Sequence, residues 1–203
     1  MGHFFVVAAP SGAGKTSLVR ALSERIDQLK ISISYTTRPP RPGDVSGKDY
    51  YFVDTDEFAR MVSNHDFLEH ATIYHHQYGT SRAWVLNQLA AGIDVLLEID
   101  WQGAQQIRQQ YPEAVLIFIM PPSLDILYER LQNRRQDTPE IIAERMAGAQ
   151  QEISHYQEFD YLVINDAFEQ ALASLQHIVW AERLRCAQQA QRHAETLARL
   201  LER

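Results

Sequence analysis

The chain has 203 residues, which is enough for one compact domain with small inserted subdomains. Its net charge of −7 argues against a general binder of nucleic acids or of anionic membranes, and its single cysteine, Cys186, excludes an intramolecular disulfide framework. There is no basic leader region and no apolar run near the ~20 residues that cross a bilayer. We therefore expect a soluble, cytoplasmic protein with neither a nucleic acid nor a membrane as partner.

The first elements along the chain are predicted to be a strand, a turn and a helix. The run "HFFVVAA" is typical of a buried strand, and Lys15 to Ile26 has apolar residues at helical spacing. Between them, "APSGAGKTS" fits the phosphate-binding pattern G-x-x-x-x-G-K-S/T, except that Ala9 occupies the position of the first glycine. An alanine is compatible with this position if its φ angle is negative.

The strand-turn-helix context predicts a loop whose backbone N–H groups surround phosphate oxygens at a helix N-terminus. Gly12 and Gly14 permit the close approach of phosphate. Lys15 would reach the β- and γ-phosphates, and the Thr16 hydroxyl would bind Mg²⁺. The sequence thus predicts an ATP site with Mg²⁺, formed by Ala9, Pro10, Ser11, Gly12, Ala13, Gly14, Lys15 and Thr16.

The next region, Tyr35 to Arg82, contains the proline- and glycine-rich stretch "TTRPPRPGDVSGKDYYFV", followed by a helix predicted over Asp56 to Asn64. The frequent prolines and glycines favour a small irregular subdomain over another strand-helix-strand unit. Within it, Arg38 and Arg41 are held between prolines and would make a rigid fork for a phosphate monoester. The alternative is a solvated basic loop.

Further apolar runs lack the alternation of a half-exposed strand, which favours strands covered on both faces of a parallel sheet. They occupy residues 94–100, 114–120 and 160–165, and helices are predicted over 103–110, over 123–134 and as one long segment after Asp166. This order predicts an α/β fold, with a P-loop parallel sheet flanked by helices, an inserted small subdomain and a helical lid.

Two segments near the C-terminus are more polar. In residues 134–152, Thr138 and Pro139 are placed as the N-cap and first residue of a helix. This segment lies between two predicted strands, where a mobile lid is expected. The tail, residues 167–202, has the pattern of a helix that closes the core and ends in solvent. The alternative for this tail is a homo-oligomer contact.

In their order and spacing, "APSGAGKTS", "SYTTRPPRPGDVSGKDYYFV", "FLEHA", "QYGTS", "EIDWQGAQQIR", "IIAERM" and "VIND" resemble the bacterial guanylate kinases over essentially the whole chain. The resemblance implies transfer of the γ-phosphoryl group of ATP to GMP, and to dGMP as well. It also implies three parts: a P-loop core over residues 1–33, 84–124 and 156–203, a GMP-binding subdomain over 34–83 and a lid over 125–155.

The resemblance assigns roles to individual residues. The GMP phosphate would be held by Arg38, Arg41, Tyr50 and Tyr78. The guanine would be bound by Ser34, Glu69 and Thr80, with Asp100 nearby. The adenine end of ATP would contact Asn165. The transferring phosphoryl group would be neutralised by Lys15, Arg38, Arg41, Arg134 and Arg145 together with Mg²⁺.

The hydrogen-bonding groups of guanine agree with this assignment. One carboxylate, Glu69, can accept from both N1–H and the 2-amino group of guanine, and the hydroxyls of Ser34 and Thr80 can satisfy O6 and N7. Adenine has no N1–H, so AMP would leave buried groups unpaired, which can discriminate by about 10⁴.

The chain departs from the family pattern at three places. Glu98 replaces an aspartate, Arg135 replaces a glycine after Arg134, and "HHQYG" replaces "GNYYG". The histidines of this region, His70, His75 and His76, have no evident fourth zinc ligand, so exposed loop histidines are the better interpretation.

Two other functions remain open at the sequence level. One is a non-enzymatic binding module, against which the intact Lys15, Thr16 and lid arginines argue. The other is a kinase with a P-loop that phosphorylates a sugar phosphate. Glu69 argues against it, because a sugar phosphate has no base for this carboxylate to bind.

Overall fold

The computed structural model describes residues 1–133 and 138–202. Over these residues, strands and helices follow one another in this order: β1 (Phe4–Ala8), α1 (Lys15–Arg25), β2 (Leu29–Ile31), β3 (Tyr35–Thr36), β4 (Tyr51–Phe52), α2 (Thr55–Ser63), β5 (Phe67–Ile73), β6 (His76–Ser81), α3 (Arg82–Ala90), β7 (Asp94–Glu98), α4 (Trp101–Gln110), β8 (Val115–Met120), α5 (Leu124–Asn133), α6 (Pro139–Ser154), β9 (Tyr161–Ile164), α7 (Phe168–Arg183), α8 (Cys186–Arg192) and α9 (Ala194–Leu201).

The main sheet contains five of the described strands in the order β2-β7-β1-β8-β9, and every adjacent pair is parallel. All five residues of β1 are buried, and the first four side chains alternate between two apolar clusters. Phe5 and Val7 pack with residues of α1 and α7, whereas Phe4 and Val6 pack with residues of α3 and α4. This confirms the predicted parallel sheet covered by helices on both faces, and it explains why its strands show no alternation.

A second sheet lies between Tyr35 and Ser81, with its described strands in the order β4-β3-β6-β5. The β3–β6 and β5–β6 pairs are antiparallel, and β3 and β4 are parallel. The region predicted to be irregular is therefore a small sheet, covered by α2 through the buried Phe58. β3 and β4 have two residues each, which is too short for a period-2 pattern to be recognised.

The C-terminal segment closes the core, as predicted, because α7 buries Leu172, Leu175 and Val179. The single long helix expected after Asp166 is wrong, since three helices, α7, α8 and α9, occupy this segment. Within residues 186–201, all of which are described, α8 and α9 bury no side chain. The oligomer contact stays a prediction. Among the described helices, none has the length and apolarity required to span a membrane.

Asp94, at the start of β7, joins the N-terminus to the end of α7. It is 4% exposed; its carboxylate accepts from the backbone N–H of His3 at 2.7 Å and from Nε of Arg183 at 2.7 Å. Arg183 also donates to the carbonyl of Asp27 at 2.9 Å. One buried carboxylate thus fixes the ends of three segments of the core.

We expect Asp94→Ala to lower the free energy of unfolding by about 3 kcal/mol, because it leaves Arg183 without its buried partner. The matched control is Glu169→Ala, which removes a carboxylate whose ion pair with Arg25 is exposed (side-chain exposures of 46% and 69%) and should cost below about 1 kcal/mol. Urea denaturation of both variants measures the difference, and equal losses would contradict the structural role of Asp94.

Candidate active site

A cleft of about 340 Å³ lies where β1 and β7 end, between the P-loop, the second sheet and α6. Polar and charged side chains from all three parts line it. They include Ser11, Lys15, Thr16, Arg20, Ser34, Arg38, Arg41, Asp44, Asp49, Tyr50, Glu69, Tyr74, Tyr78, Glu98, Asp100, Arg145 and Glu152. A cleft at the carboxyl end of a parallel sheet is where α/β proteins bind ligands.

The P-loop has the backbone that phosphate binding needs. Gly12 and Gly14 have φ angles of 95° and 90°, a region that side chains disfavour. A Cβ at Gly14 would also lie 2.5 Å from Nδ2 of Asn165. Ala9 is not among the described non-glycine residues with positive φ, so it meets the condition under which an alanine is compatible with the loop. Gly14 is the N-cap of α1, and its missing side chain leaves the helix N-terminus open to an anion.

The two polar residues that open α1 reach toward the end of β7. Nζ of Lys15 donates to the carbonyl of Ile99 at 2.5 Å, and the Thr16 hydroxyl donates to Oε1 of Glu98 at 2.5 Å. The extra methylene of Glu98, one of the departures from the family pattern, therefore still places a carboxylate against Thr16. A hydroxyl beside a carboxylate suits a Mg²⁺ ion, which prefers oxygen ligands.

Asp44 organises the arginine turn. Its Oδ2 accepts from Nη2 of Arg38 and from the backbone N–H of Arg41, both at 2.8 Å. Burial alone would raise the pKa of Asp44, but the Arg41 backbone hydrogen bond and the Arg38 guanidinium hold it below its usual value. The Arg38 guanidinium lies over the rings of Tyr50 and Phe52, 5.3 and 5.7 Å from their centroids. A carboxylate and two aromatic rings thus fix the Arg38 guanidinium, and the same carboxylate holds the Arg41 backbone. The fork for a phosphate monoester stays a prediction.

Two tyrosines lie in the cleft near the arginine turn. The rings of Tyr50 and Tyr78 have centroids 5.8 Å apart, and both side chains line the cleft. Burial, with the charge of Glu98, raises the pKa of Tyr50 to about 12. The Tyr50 phenol therefore stays protonated at neutral pH and is available as a hydrogen-bond donor to a phosphate oxygen.

Glu69 is a buried carboxylate, with 3% of its surface exposed. The β5–β6 register shifts between Phe67 and Glu69, so three consecutive residues of β5 are buried instead of alternating. The Thr80 hydroxyl, opposite on β6, donates to Oε1 of Glu69 at 2.6 Å. Burial, with the charge of Asp100, raises the pKa of Glu69 to about 7, although the Thr80 hydroxyl opposes this shift.

Gly103, in the first turn of α4, provides the space for Glu69. A Cβ at Gly103 would lie 2.6 Å from Oε2 of Glu69. The Gly103 N–H donates to Oδ1 of Asp100 at 3.0 Å, so Asp100 is the N-cap of α4. Asp100 lines the cleft beside Glu69, but its carboxylate also holds the helix terminus in place.

Comparisons with known proteins agree with this geometry. The family model described as guanylate kinase matches residues 1–182. The chain belongs to the guanylate kinase family. It is 57% identical over 201 residues to the guanylate kinase of Coxiella burnetii (strain RSA 493 / Nine Mile phase I), and this alignment covers 99% of this chain and 98% of that protein. It is 52% identical over 202 residues to that of Escherichia coli (strain K12), covering 98% of each. The crystal structure of guanylate kinase from Anaplasma phagocytophilum superposes with a TM-score of 0.79 at 35% identity, covering 92% of this chain and 89% of that one.

Most residues assigned by resemblance to the guanylate kinases line the one cleft. Thr80 lies behind it and reaches it through Glu69, and Ala13 is buried beneath the P-loop. The Asn165 side chain is 4% exposed and donates to the Ala13 carbonyl at 2.7 Å, so it supports the P-loop from behind. Arg134 and Arg135 lie outside the described residues. The adenine contact of Asn165 stays a prediction.

Several cleft residues were not singled out from the sequence. Asp44 follows Arg41 in "RPGD", and a carboxylate after a Pro-Gly turn is a signal that could have marked it. Arg20, on α1, forms an ion pair with Asp49, which lies between β3 and β4. Tyr74 and Glu152 meet across the cleft although they are far apart in sequence, and no local pattern indicates this contact.

The raised pKa of Glu69 predicts a stability effect. The folded state keeps the proton up to about pH 7, whereas the unfolded carboxyl releases it near its usual 4.5. Stability contributed by the protonated form is therefore complete below pH 4.5 and is lost as the pH rises through 7. We expect Glu69→Gln, which keeps an acceptor for Thr80, to be more stable than the natural chain by up to about 3 kcal/mol at pH 8. Denaturation at several pH values measures this, and a pH-independent difference would contradict it.

Gly103→Ala should selectively disturb the part of the cleft around Glu69. The added methyl would push Glu69 away, so we expect a rise of roughly tenfold or more in the KM for GMP, with the KM for ATP changed less than about twofold. Gly92→Ala is the control, because it also replaces a glycine but adds its methyl to open space. This variant should lose some stability, since alanine disfavours the positive φ of Gly92, but its two KM values should not change. Steady-state kinetics with GMP and ATP varied in turn measure both KM values for each variant. Equal changes in the two KM values of Gly103→Ala would contradict a steric effect on Glu69.

Proposed function

We propose that the cleft transfers the γ-phosphoryl group of ATP to GMP, giving ADP and GDP, as the family name implies. The observation that carries this proposal is the buried carboxylate of Glu69 in the same cleft as the P-loop and the Arg38–Arg41 fork. A buried carboxylate needs hydrogen-bond donors from its ligand. A sugar phosphate has no pair of adjacent N–H donors for the Glu69 carboxylate, so the cleft favours a purine nucleotide.

Guanine recognition would then depend on Glu69 and on the hydroxyls of Ser34 and Thr80. The carboxylate accepts from N1–H and from the 2-amino group of guanine, and these two charge-assisted hydrogen bonds favour the ionised form. Adenine offers neither donor to this position. The GMP phosphate would lie against Arg38, Arg41, Tyr50 and Tyr78. Because dGMP presents the same base and phosphate, we expect it to be a substrate as well.

The ATP phosphates would be held by the P-loop backbone and by Lys15. Mg²⁺ fits the oxygen ligands at hand, the Thr16 hydroxyl and the Glu98 carboxylate. When bound, the metal ion neutralises charge on the phosphate oxygens. We therefore propose Mg²⁺ as the metal used with ATP.

Phosphoryl transfer to a phosphate acceptor requires positioning and neutralisation of charge, and it requires no general base, because the attacking oxygen is already anionic. Lys15, Arg38, Arg41 and Arg145 all line the cleft. Arg134 would complete the set. We propose a division of the chain into a P-loop core (1–33, 84–124 and 156–203), a GMP-binding subdomain (34–83) and a lid (125–155), whose closure would exclude water and suppress hydrolysis of ATP.

The direct test measures ADP release from ATP with GMP, dGMP, AMP, CMP or UMP as acceptor. We expect GMP and dGMP to be used, with GMP preferred over AMP by about 10⁴ in kcat/KM. Lys15→Ala should lower kcat by about 10²–10³ without unfolding the chain. Glu69→Ala should reduce the GMP/AMP ratio at least about a hundredfold.

The control for Glu69→Ala is Glu57→Ala, which removes an exposed carboxylate of the same subdomain on α2. It should leave the ratio unchanged. Release of ADP that does not depend on any nucleoside monophosphate, or an unchanged GMP/AMP ratio in Glu69→Ala, would contradict the proposed function.

A further inference from the structure

One face of α6 lies against both the P-loop and the tip of the β5–β6 hairpin. Arg145, Gly148 and Glu152 share this face, because positions i, i+3 and i+7 of a helix are aligned. Glu152 makes two contacts: its Oε2 accepts from the backbone N–H of Ser11 at 3.0 Å, and its Oε1 accepts from the Tyr74 hydroxyl at 3.4 Å.

Arg145 contacts the same two partners as Glu152. Its Nη1 donates to the Ser11 hydroxyl at 3.1 Å, and its guanidinium lies over the Tyr74 ring, 5.6 Å from the centroid. Gly148 lies between the two charged residues. A Cβ there would be 3.4 Å from the Tyr74 hydroxyl, an ordinary contact distance, so this hydroxyl lies next to the helix at Gly148. Ser11 and Tyr74 are therefore both held by the Arg145–Glu152 face.

Tyr74 is held in an unfavourable backbone conformation. Tyr74 and His75 form the two-residue turn between the paired residues Ile73 and His76, with φ angles of 45° and 70°. Bulky residues with positive φ persist only where their surroundings determine the conformation, and such positions cluster at functional sites. A two-residue hairpin turn of this type itself requires positive φ at both positions, and the contact with α6 in addition fixes the Tyr74 side chain.

The protonation states favour a stable hydrogen bond between Tyr74 and Glu152. Burial and the charge of Glu152 raise the pKa of Tyr74, so its phenol remains a donor at neutral pH. Burial raises the pKa of Glu152, but the Ser11 N–H and the nearby Lys15 favour its ionised form. The carboxylate thus joins three parts of the chain: the hairpin that carries Glu69 and Tyr78, the helix that carries Arg145, and the P-loop.

We propose that Tyr74 and Glu152 are positioning residues that link closure of the GMP-binding hairpin to the placement of Arg145 and Ser11. This inference rests on the proposed function. A hairpin drawn in by GMP presents Tyr74 to α6, and α6 then holds Arg145 at the P-loop. As a consequence, GMP and ATP bind cooperatively, since each substrate favours the arrangement that the other requires.

The test measures the dissociation constant of a non-hydrolysable ATP analogue by calorimetry, with and without saturating GMP. In the natural chain we expect GMP to tighten binding of the analogue on the order of tenfold. Tyr74→Phe and Glu152→Ala should reduce this factor to below about twofold and lower kcat roughly tenfold. Tyr74→Phe should change the affinity for the analogue alone little, because it leaves the contact between Glu152 and Ser11 in place. The double variant should be no worse than Glu152→Ala, because the hydrogen bond that Tyr74→Phe removes is already lost in Glu152→Ala.

Two further variants separate positioning from other roles. Glu152→Gln retains an oxygen that accepts from the Ser11 N–H, so it should recover part of the cooperativity that Glu152→Ala loses. Glu140→Gln removes an exposed carboxylate from the first turn of the same helix and should behave as the natural chain does. Tyr74→Phe removes a single hydroxyl, so it decides the question even if Glu152→Ala fails to fold.

An unchanged GMP effect in both Tyr74→Phe and Glu152→Ala would overturn the proposal. So would an active natural chain without cooperativity, or a Glu152→Gln variant that binds the analogue more tightly with its GMP effect intact, which would mean that the carboxylate repels phosphate. A natural chain that releases no ADP with GMP would instead refute the proposed function. The two failures are therefore distinguishable.

Discussion

A carboxylate removed from water is unstable unless hydrogen-bond donors replace the solvent, and this constraint governs the cleft. Glu69 is 3% exposed, and the described contact to its side chain is a single hydrogen bond, from Thr80. The strand irregularity that turns Glu69 inward and the glycine that makes room for it both serve to bury a charge. In the proposed function guanine would supply the missing donors, and the free-energy cost of burying Glu69 would then be offset only by a base that carries both donors.

The same logic of fixed charges extends across the cleft. Asp44 holds the arginine turn, Glu98 accepts from the Thr16 hydroxyl, and Glu152 accepts from the backbone N–H of Ser11 in the P-loop, so a carboxylate orients a group at each of these three places. Preoriented groups need little rearrangement as charge develops during transfer. The two sheets supply different sides of this arrangement: the P-loop follows β1 of the parallel sheet, and the smaller sheet carries Glu69 and Tyr78.

Sequence reasoning predicted the features that depend on local pattern. The P-loop, the buried strands, the Thr138–Pro139 start of α6 and the core-facing side of α7 follow from spacing and residue type. It missed β3 and β4, which are too short for periodicity, and the breaks between α7, α8 and α9. It also missed Tyr74 and Glu152, because their contact joins residues 78 positions apart and depends on tertiary packing. The burial of Glu69 was expected from the family resemblance, since a lone glutamate on a strand would otherwise be an exposed residue.

The central claim, that Glu69 is a buried carboxylate completed by guanine, is tested most directly by its titration. Carbon-13 NMR of the glutamate carboxyls, assigned with Glu69→Gln, follows this group with and without ligand. The account predicts a pKa near 7 in the free protein, a clear decrease when GMP binds and no decrease with AMP. A pKa near the usual 4.5 in the free protein, or a value that GMP leaves unchanged, would contradict it.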